Sequence, residues 1–388
     1  MKKFLSLALA LLMAAVLLPT TALAADPNLV KVGNAEYATL EAAIAAATPD
    51  ENGVITYEIS GRVTADSTGW VQVAKAGLTD LTKVEFVGKT NDAEICITGG
   101  LAILADQTYD IDVSFTNLKL SKLNPTYGGD YGHSPKYFTC WLRNTNAAQN
   151  TVTYTNCTFP NGVCNNQYGK TIFDNCNFTN NAPGLYNLWN YGGNTEIKNS
   201  TFTGTRGVKL YSESTSGGTV DIDNTKFDGL TEKAAVIASK PVEITITKVT
   251  VEDCNKGFIT RDITGNDELT LNVNGSDISG TFNVTNATNA EAAKTELKIT
   301  EGTFTGNTDS VKDYLPEGKT INSNGAVVDK GATPPTDGTI TIIVPPAEDT
   351  PKTDDQKNPS TGANDMVAAA AALMAVAALG MSILSRKK

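Results

Sequence analysis

A group of aromatic residues near the middle of the chain has side chains suited to binding a ligand. Its members lie in predicted strands that follow a repeated turn: Trp141, Tyr186, Trp189, Tyr191 and Tyr211. Sugar rings stack their apolar faces on exposed aromatic rings, so an outward-facing column of these side chains would form a platform for glycans. The stretch LYNLWNYGG can also be phased with its rings inward, in which case they are core residues.

A segment rich in glycine, proline and tyrosine lies beside these aromatic residues. It covers residues 123–137, LNPTYGGDYGHSPKY, and contains Tyr127, Tyr131 and His133, which is the one histidine of the chain. Long surface loops often carry function. We therefore add these three residues to the candidate ligand-binding set, with the alternative that His133 is a solvated loop residue.

Residue types that could perform catalysis are present but scattered. A polysaccharide lyase needs carboxylates that hold calcium beside an arginine or lysine base, and the candidates are Arg206, Lys209, Arg261, Asp221 and Asp223. A glycosidase needs two carboxylates a set distance apart. On stacked segments many acidic pairs would meet that requirement by chance, so the requirement identifies no particular pair. One histidine cannot build a multi-histidine metal site. The sequence therefore identifies no catalytic residue, no metal site and no cofactor.

A repeat spaces all of these residues along the chain. The segments TVTYTNCTF, TIFDNCNF, TEIKNSTF and TVDIDNTKF each contain a β-rich run, an asparagine, two small or polar residues and a phenylalanine. The asparagines Asn156, Asn175, Asn199 and Asn224 recur every 19 to 25 residues. In later copies the asparagine place holds Lys248, Gly275 and Glu301, whereas the apolar pattern continues. A period of this length indicates a solenoid.

The repeat unit predicts strands that stack in parallel. Runs of four or five residues with period-two alternation form strands, and the sequence shows no crossover helices that would join parallel strands in other folds. Asparagine tolerates the left-handed backbone conformation and can bond to a stacked copy of itself. We expect Phe159, Phe178, Phe202 and Phe227 to form one buried column.

The pattern resembles the single-stranded right-handed parallel β-helix of the pectin-lyase-like superfamily, with an asparagine ladder at one turn. The resemblance covers roughly residues 30–325 and concerns the fold alone. Thr39 and the apolar residues after it predict a helix over residues 39–47, which resembles the cap that covers the first coil of many β-helix proteins. The predicted fold is all-β, with the β-helix domain over residues 25–329.

Cysteine positions fit the same stacking. Cys157 and Cys176 occupy equivalent places in adjacent copies, and Cys140 and Cys164 are one coil length apart. Stacked positions bring Cα atoms within disulfide range, so each pair is a candidate disulfide. A reduced column of small buried side chains is the alternative.

The two ends of the chain differ in composition from the repeat, and each contains a predicted targeting segment. Residues 1–24 have two lysines, an apolar run and an Ala-Leu-Ala cleavage pattern, as in a signal peptide. Residues 330–357 are rich in proline, threonine and aspartate and predict a disordered spacer. The apolar run 366–384 is long enough to span a bilayer and precedes a positive tail.

The segment 358–388 resembles a Gram-positive cell-wall sorting signal. Its motif is Asn358-Pro359-Ser360-Thr361-Gly362, NPSTG in place of the commoner LPXTG. The resemblance implies that a sortase cleaves after Thr361 and joins this residue to peptidoglycan, so that the chain enters the membrane only through its C-terminal segment before processing.

The sequence therefore predicts a secreted, wall-anchored surface protein with a non-catalytic binding or adhesive surface for glycans or a host surface, as in an adhesin. The net charge of −11 argues against binding nucleic acid. Two alternatives remain: a carbohydrate-active β-helix enzyme, either a polysaccharide lyase or a glycoside hydrolase, and a structural stalk with no specific ligand.

Overall fold

A computed structural model provides the structure of the chain. It describes residues 28–102, 111–123, 141–143, 150–166, 169–182, 186–190, 193–210, 218–231, 233–237, 242–252, 254, 258–260, 268–279, 294–305, 308–312 and 314–332. The predicted signal peptide, the sorting signal and residues 333–357 of the spacer lie outside these ranges, and their assignments stay predictions. Of the helices in the described ranges, none combines the length and the apolar composition that a membrane crossing requires.

Most of the described residues lie in three long sheets. In spatial order, the described strands of sheet 1 are β2 (Ala35–Tyr37), β1 (Leu29–Val32), β3 (Val54–Ser60), β6 (Lys83–Gly88), β9 (Asp112–Thr116), β12 (Thr151–Thr155), β15 (Lys170–Asp174), β18 (Asn194–Lys198), β21 (Gly218–Asp223), β24 (Val242–Thr247), β27 (Glu268–Asn274) and β29 (Lys294–Ile299). From β3 onward, every pair of neighbours in this sheet is parallel.

Sheet 2 is parallel along its described length. Its strands are β4 (Arg62–Ala65), β7 (Glu94–Ile97), β10 (Lys119–Lys122), β13 (Thr158–Phe159), β16 (Asn177–Phe178), β19 (Thr201–Phe202), β22 (Lys226–Asp228), β25 (Thr250–Glu252), β28 (Ser276–Ser279) and β30 (Gly302–Thr305).

Sheet 3 is also parallel. Its described strands are β11 (Trp141–Arg143), β14 (Val163–Asn166), β17 (Tyr186–Asn190), β20 (Arg206–Leu210), β23 (Lys233–Ile237) and β26 (Phe258–Thr260). Two small sheets pair β5 (Trp70–Gln72) with β8 (Gly100–Ala102) and β31 (Lys319–Ile321) with β32 (Val327–Asp329).

The order of strands along the chain links these sheets into coils. A strand of sheet 1 is followed by one of sheet 2, and in most coils by one of sheet 3, before the chain returns to sheet 1 one strand further along. The parallel sheets and their order are consistent with an all-β solenoid.

Two columns of aromatic rings fill the core. The predicted column of Phe159, Phe178, Phe202 and Phe227 is confirmed, because their rings stack with centroids 4.8, 4.2 and 4.8 Å apart. A second column stacks in sheet 1: Tyr57, Phe86, Phe115, Tyr154 and Phe173. The two columns meet edge to face, as at Tyr154 and Phe159, with centroids 5.4 Å apart. Aromatic rings have negative faces and positive edges, and these quadrupoles favour edge-to-face contacts of this kind.

In most coils, one left-handed residue turns the chain from sheet 1 into sheet 2. Its φ is 45° to 56° at Asn117, Asn156, Asn175, Asn199, Asn224, Lys248 and Gly275. The residue that follows is buried, as at Cys176 and Ser200. A strand of sheet 2 begins two residues after each of the asparagines and Lys248, and directly after Gly275. The asparagine repeat therefore marks a backbone conformation that asparagine adopts more readily than other side chains do.

Short elements cover both ends of the stack. At the start, the helix α1 (Leu40–Ala46) packs Leu40, Ala43 and Ile44 into the core, and Thr39 Oγ1 accepts a hydrogen bond from the N–H of Ala42. This is the helix predicted for residues 39–47. The β1–β2 hairpin lies antiparallel to β3 and shields the edge of sheet 1.

The C-terminal end has a cap that the sequence did not indicate. The helix α2 (Asp309–Lys312) contains the fully buried Val311, and the antiparallel β31–β32 hairpin follows. The N–H of Phe304, in the last strand of sheet 2, donates to the carbonyl oxygen of Gly325 at 2.8 Å. The hairpin thereby satisfies part of an edge that would otherwise expose unpaired backbone groups.

Candidate binding groove

A polar groove follows the left-handed turn on the outside of the molecule. One section, of 590 Å³, is lined by Lys89, Asn117, Lys119, Asn156 and Thr158 among others. The neighbouring section, of 360 Å³, is lined by Asn175, Asn199, Ser200, Thr201, Asn224, Thr225, Lys226, Lys248 and Thr250. We call these two sections together the asparagine groove. Sequence reasoning predicted its asparagine ladder but did not identify it as a binding surface.

The exposed asparagine side chains of the groove bond to one another along the stack. Nδ2 of Asn156 donates to Oδ1 of Asn117 at 2.9 Å, and Nδ2 of Asn175 donates to Oδ1 of Asn156 at 2.7 Å. Nδ2 of Asn199 donates to Asp174 instead, at 2.8 Å, and the ladder resumes from Asn224 to Asn199 at 2.8 Å. These bonds hold the amides in a fixed orientation.

The ladder leaves part of each amide open to the groove. An asparagine amide has two donor hydrogens and two acceptor lone pairs, and a ladder bond uses one hydrogen and one lone pair. Neighbouring parallel strands are about 4.8 Å apart, so the remaining groups recur at that interval. Threonine hydroxyls at the start of the strands of sheet 2, such as those of Thr158 and Thr201, line the same surface.

Most lysines in the groove are paired with carboxylates. Lys119 lies 3.3 Å from Glu94, and Lys226 lies 3.2 Å from Asp228 and 2.8 Å from Glu252. Hydrogen bonds to Glu252 and then Asp228 raise the pKa of Lys226 above its ordinary value. Because these charges offset one another, the greater part of the groove presents hydrogen-bonding groups with little net charge.

A buried carboxylate lies on sheet 2 next to the first section. Glu94 is 8% exposed and accepts a short hydrogen bond from Ser121 Oγ, and Arg62 Nε is 3.9 Å away. Arg62 Nη2 donates to Cys96 Sγ at 3.0 Å, and this bond raises the pKa of the arginine. Each of these four residues has a partner within the cluster, so we regard the cluster as structural.

The predicted aromatic set lies partly on sheet 3. Trp141, Cys164 and Trp189 occupy successive places in one register column, followed by Lys209. Trp189 is only 7% exposed, and Lys209 Nζ lies 4.0 Å from its ring centroid. The cation therefore lies over one face of this ring.

Tyr186 has a similar environment at the start of its strand. Its side chain is 6% exposed, and the guanidinium carbon of Arg206 lies 5.2 Å from the ring centroid. Neither described ring offers an open face for stacking on a sugar. Tyr127, Tyr131, His133, Tyr191 and Tyr211 lie outside the described residues, and ligand binding by this set stays a prediction.

Carboxylates meet on the outer face of sheet 1. Glu196 and Asp221 are register partners on β18 and β21, and Lys170 forms an ion pair with Glu196. Partial burial, and then the charges of Glu196 and Glu243, raise the pKa of Asp221 above its ordinary value, whereas Lys170 lowers it. Within the described ranges, no three His, Cys, Asp or Glu side chains are grouped so that they could hold a metal ion.

Cys157 and Cys176 are buried, and no disulfide joins the two in the structure. Cys176 Sγ lies 3.6 Å from the carbonyl oxygen of Asp174, two residues earlier. The side chain of Cys164 and all of Cys140 lie outside the description, so a bond between them stays a prediction.

Comparisons of the chain with protein-family models, curated proteins and solved structures found no match.

Proposed function

We propose that this chain is a secreted, wall-anchored, right-handed parallel β-helix of the pectin-lyase-like type that binds glycans without cleaving them, and that the asparagine groove is its binding surface. The observation that carries the proposal is the row of exposed amides, one on each of several successive coils, held in orientation by the ladder bonds.

A neutral, hydroxyl-rich polymer complements such a surface. Sugar hydroxyls both donate and accept hydrogen bonds, as do the unused groups of the asparagines and threonines. An extended glycan that lies along the groove would contact several coils at once. The donors are fixed before the ligand arrives, which reduces the entropy lost on binding.

Glycine substitutions test the groove, because glycine keeps the left-handed turn and removes only the amide. The full chain, purified in detergent, would be applied to a glycan array, and the dissociation constant for the strongest ligand would be measured by calorimetry. Two or three lost hydrogen bonds, at about 0.5 to 1.5 kcal/mol each, should weaken binding of that ligand about tenfold or more in N156G/N199G.

The matched control is T153A, on the outer face of sheet 1 and away from the groove. It should bind as the unaltered chain does. Unchanged affinity in N156G/N199G, or no glycan retained at all, would contradict the proposal.

Attachment to the wall is proposed from the two ends of the chain. A substitution of Thr361 by alanine would block transfer to peptidoglycan by a sortase. We expect the unaltered chain in the muramidase-released wall fraction and T361A in the membrane fraction; equal distribution of the two would refute sortase attachment.

A second candidate function is glycoside hydrolysis at the outer face of sheet 1. It is favoured by the raised pKa of Asp221 next to Glu196, since a general acid needs such a shift. New reducing ends that form with the unaltered chain but not with D221N would establish this activity and displace the non-catalytic proposal.

A further inference from the structure

A lysine occupies one asparagine place of the groove. Lys248 follows Asn224 in the series of left-handed residues and has φ 52°. Its backbone repeats the ladder geometry, because the N–H of Lys248 donates to Asn274 at 2.9 Å just as that of Asn224 donates to Thr247 at 3.0 Å. The backbone at this turn therefore accepts asparagine and lysine in the same position.

The lysine is a poorer choice for this conformation than the asparagines before it or the glycine after it. Most residues with a Cβ are strained in the left-handed region. Glycine has no Cβ, and asparagine tolerates the region better than other side chains because its amide can hydrogen-bond locally. Residues held in such conformations concentrate at functional sites. The strain at Lys248 thus indicates a role for its ammonium group that an asparagine could not fill.

The ammonium group of Lys248 is unneutralised within the described structure. It forms no ion pair or hydrogen bond there, whereas Lys89, Lys119 and Lys226 each pair with a carboxylate. Lys248 is exposed and lines the 360 Å³ section. The next place in the series is Gly275, where a Cβ would meet no atom within 4 Å, so the space beside the lysine is open.

The Asn224 amide supplies the other half of a binding site. Its Nδ2 donates to Asn199, and its Oδ1 accepts no bond in the described structure. A second hydrogen on Nδ2 remains available beside the lysine. An ammonium group has three donor hydrogens and suits an anionic oxygen group. The neighbouring amide can bond to a hydroxyl of the same sugar.

We propose, on the basis of the function proposed above, that Lys248 binds the anionic group of an acidic sugar within the glycan, either a carboxylate or a sulfate. A lysine is a compact point charge and does not select between these two groups by shape. The net charge of −11 repels densely charged polyanions. The ligand class is therefore a largely neutral glycan with isolated acidic sugars.

The test compares matched neutral and acidic ligands on three variants of the full chain in detergent. The probes are xylohexaose, the same hexasaccharide with one glucuronate substituent, and the same hexasaccharide with one sulfate. K248N restores the asparagine of the ladder, K248R keeps the charge, and K330N removes an exposed lysine from the C-terminal cap as the control.

The unaltered chain should bind at least one acidic probe five- to tenfold more tightly than xylohexaose at low salt. The preference should persist in K248R and K330N, and should disappear in K248N and at high salt. Xylohexaose should bind equally to the unaltered chain and to K330N. For K248N and K248R, which alter the lining of the groove, the acidic preference is the ratio of each variant's affinity for an acidic probe to its own affinity for xylohexaose. Comparison of the glucuronate and sulfate probes shows which anion is the better ligand.

The outcomes separate the two proposals. If K248N keeps the acidic preference, or the unaltered chain shows none, the assignment of Lys248 is wrong while binding of xylohexaose leaves the proposed function intact. If the unaltered chain binds none of the three probes, both proposals fail for this ligand class.

Discussion

Nδ2 of Asn175 lies 2.7 Å from Oδ1 of Asn156, although 19 residues separate them along the chain. Both residues have a left-handed backbone, with φ 54° and 55°. One residue type thus serves two purposes: its backbone makes the turn between sheets 1 and 2, and its amide joins adjacent coils. The two contributions can be separated by substitution.

Replacement of Asn175 by alanine should destabilise the fold more than replacement by glycine. Alanine loses the amide and also pays about 1 to 2 kcal/mol for the left-handed conformation. Glycine loses the amide alone, and because the ladder bond is exposed we expect a loss below about 1 kcal/mol. Urea unfolding of N175A and N175G measures the difference; equal losses would show that the turn conformation contributes little.

K248N should stabilise the protein, by contrast. Asparagine fits φ 52° better than lysine, and its Nδ2 would be placed to donate to Oδ1 of Asn224. We expect a gain of about 1 kcal/mol in the free energy of unfolding. K330N, which removes the same charge elsewhere, should change stability by less than about 0.5 kcal/mol. A destabilised K248N would mean that Lys248 has a structural role in the turn.

The sequence predicted the features that depend on the repeat. The phenylalanine column and the left-handed asparagines follow from residue type and spacing, because stacked coils place equivalent residues over one another. The groove was missed because it depends on how sheets 1 and 2 meet at the turn and on which amide groups the ladder leaves open. The C-terminal hairpin was missed because its two strands are short and fall outside the repeat.

The burial of Trp189 was one of two alternatives between which the sequence could not decide. The period could bring Trp141 and Trp189 into one column, but the phase of LYNLWNYGG was ambiguous. The cation over the ring comes from Lys209 on the next strand, and only the register of β17 and β20 reveals this neighbour.

Cys176 should accept serine with little loss. At the equivalent place in later coils, Ser200 Oγ donates to the carbonyl oxygen two residues earlier at 2.8 Å, and Ser276 Oγ does so at 3.2 Å. Cys176 Sγ approaches the corresponding carbonyl of Asp174. Serine should therefore be satisfied, and C176S should change the free energy of unfolding by less than about 1 kcal/mol.

Alanine at the same place leaves a small cavity and no donor, so C176A should cost about 1 to 2 kcal/mol. Thermal unfolding under reducing conditions compares C176S with C176A. A larger loss in C176S would show that this column does not tolerate a hydroxyl at that coil. Peptide mapping without reductant separately tests the predicted disulfide between Cys157 and Cys176.

Tyr57 begins an aromatic column whose next two members are phenylalanines. Its ring stacks on Phe86 with centroids 4.8 Å apart, and its hydroxyl is buried without a hydrogen-bond partner in the described structure. Burial raises the pKa of this hydroxyl, so the group stays protonated. Y57F removes an unsatisfied polar group and should stabilise the protein by about 1 kcal/mol or more.

The control for Y57F is Y154F. Tyr154 lies in the same aromatic column, where its ring stacks between those of Phe115 and Phe173. Chemical unfolding of both variants would be compared with that of the unaltered chain. If Y57F is destabilised, the hydroxyl must be satisfied by water or by another group.

Ionisation of Asp221 should lower the free energy of unfolding as the pH rises through the raised pKa of its carboxyl group. The folded state holds the proton more tightly than the unfolded chain, in which the pKa is near the ordinary value of 3.8. Folding is thus favoured by this group in acid, and the advantage is lost as the pH rises through the folded-state pKa. At neutral pH the ionised Asp221 destabilises the fold through partial burial and the charges of Glu196 and Glu243.

D221N should therefore raise the free energy of unfolding at pH 7. Because the burial is only partial and much of the side chain still contacts solvent, screening limits the gain to less than about 1 kcal/mol. The gain should shrink as the pH is lowered toward 3.8, where the unaltered chain also carries a neutral group at this position. Urea unfolding of both proteins from pH 3.5 to 7 measures the difference, and a gain that does not depend on pH would show that it arises from packing and not from charge.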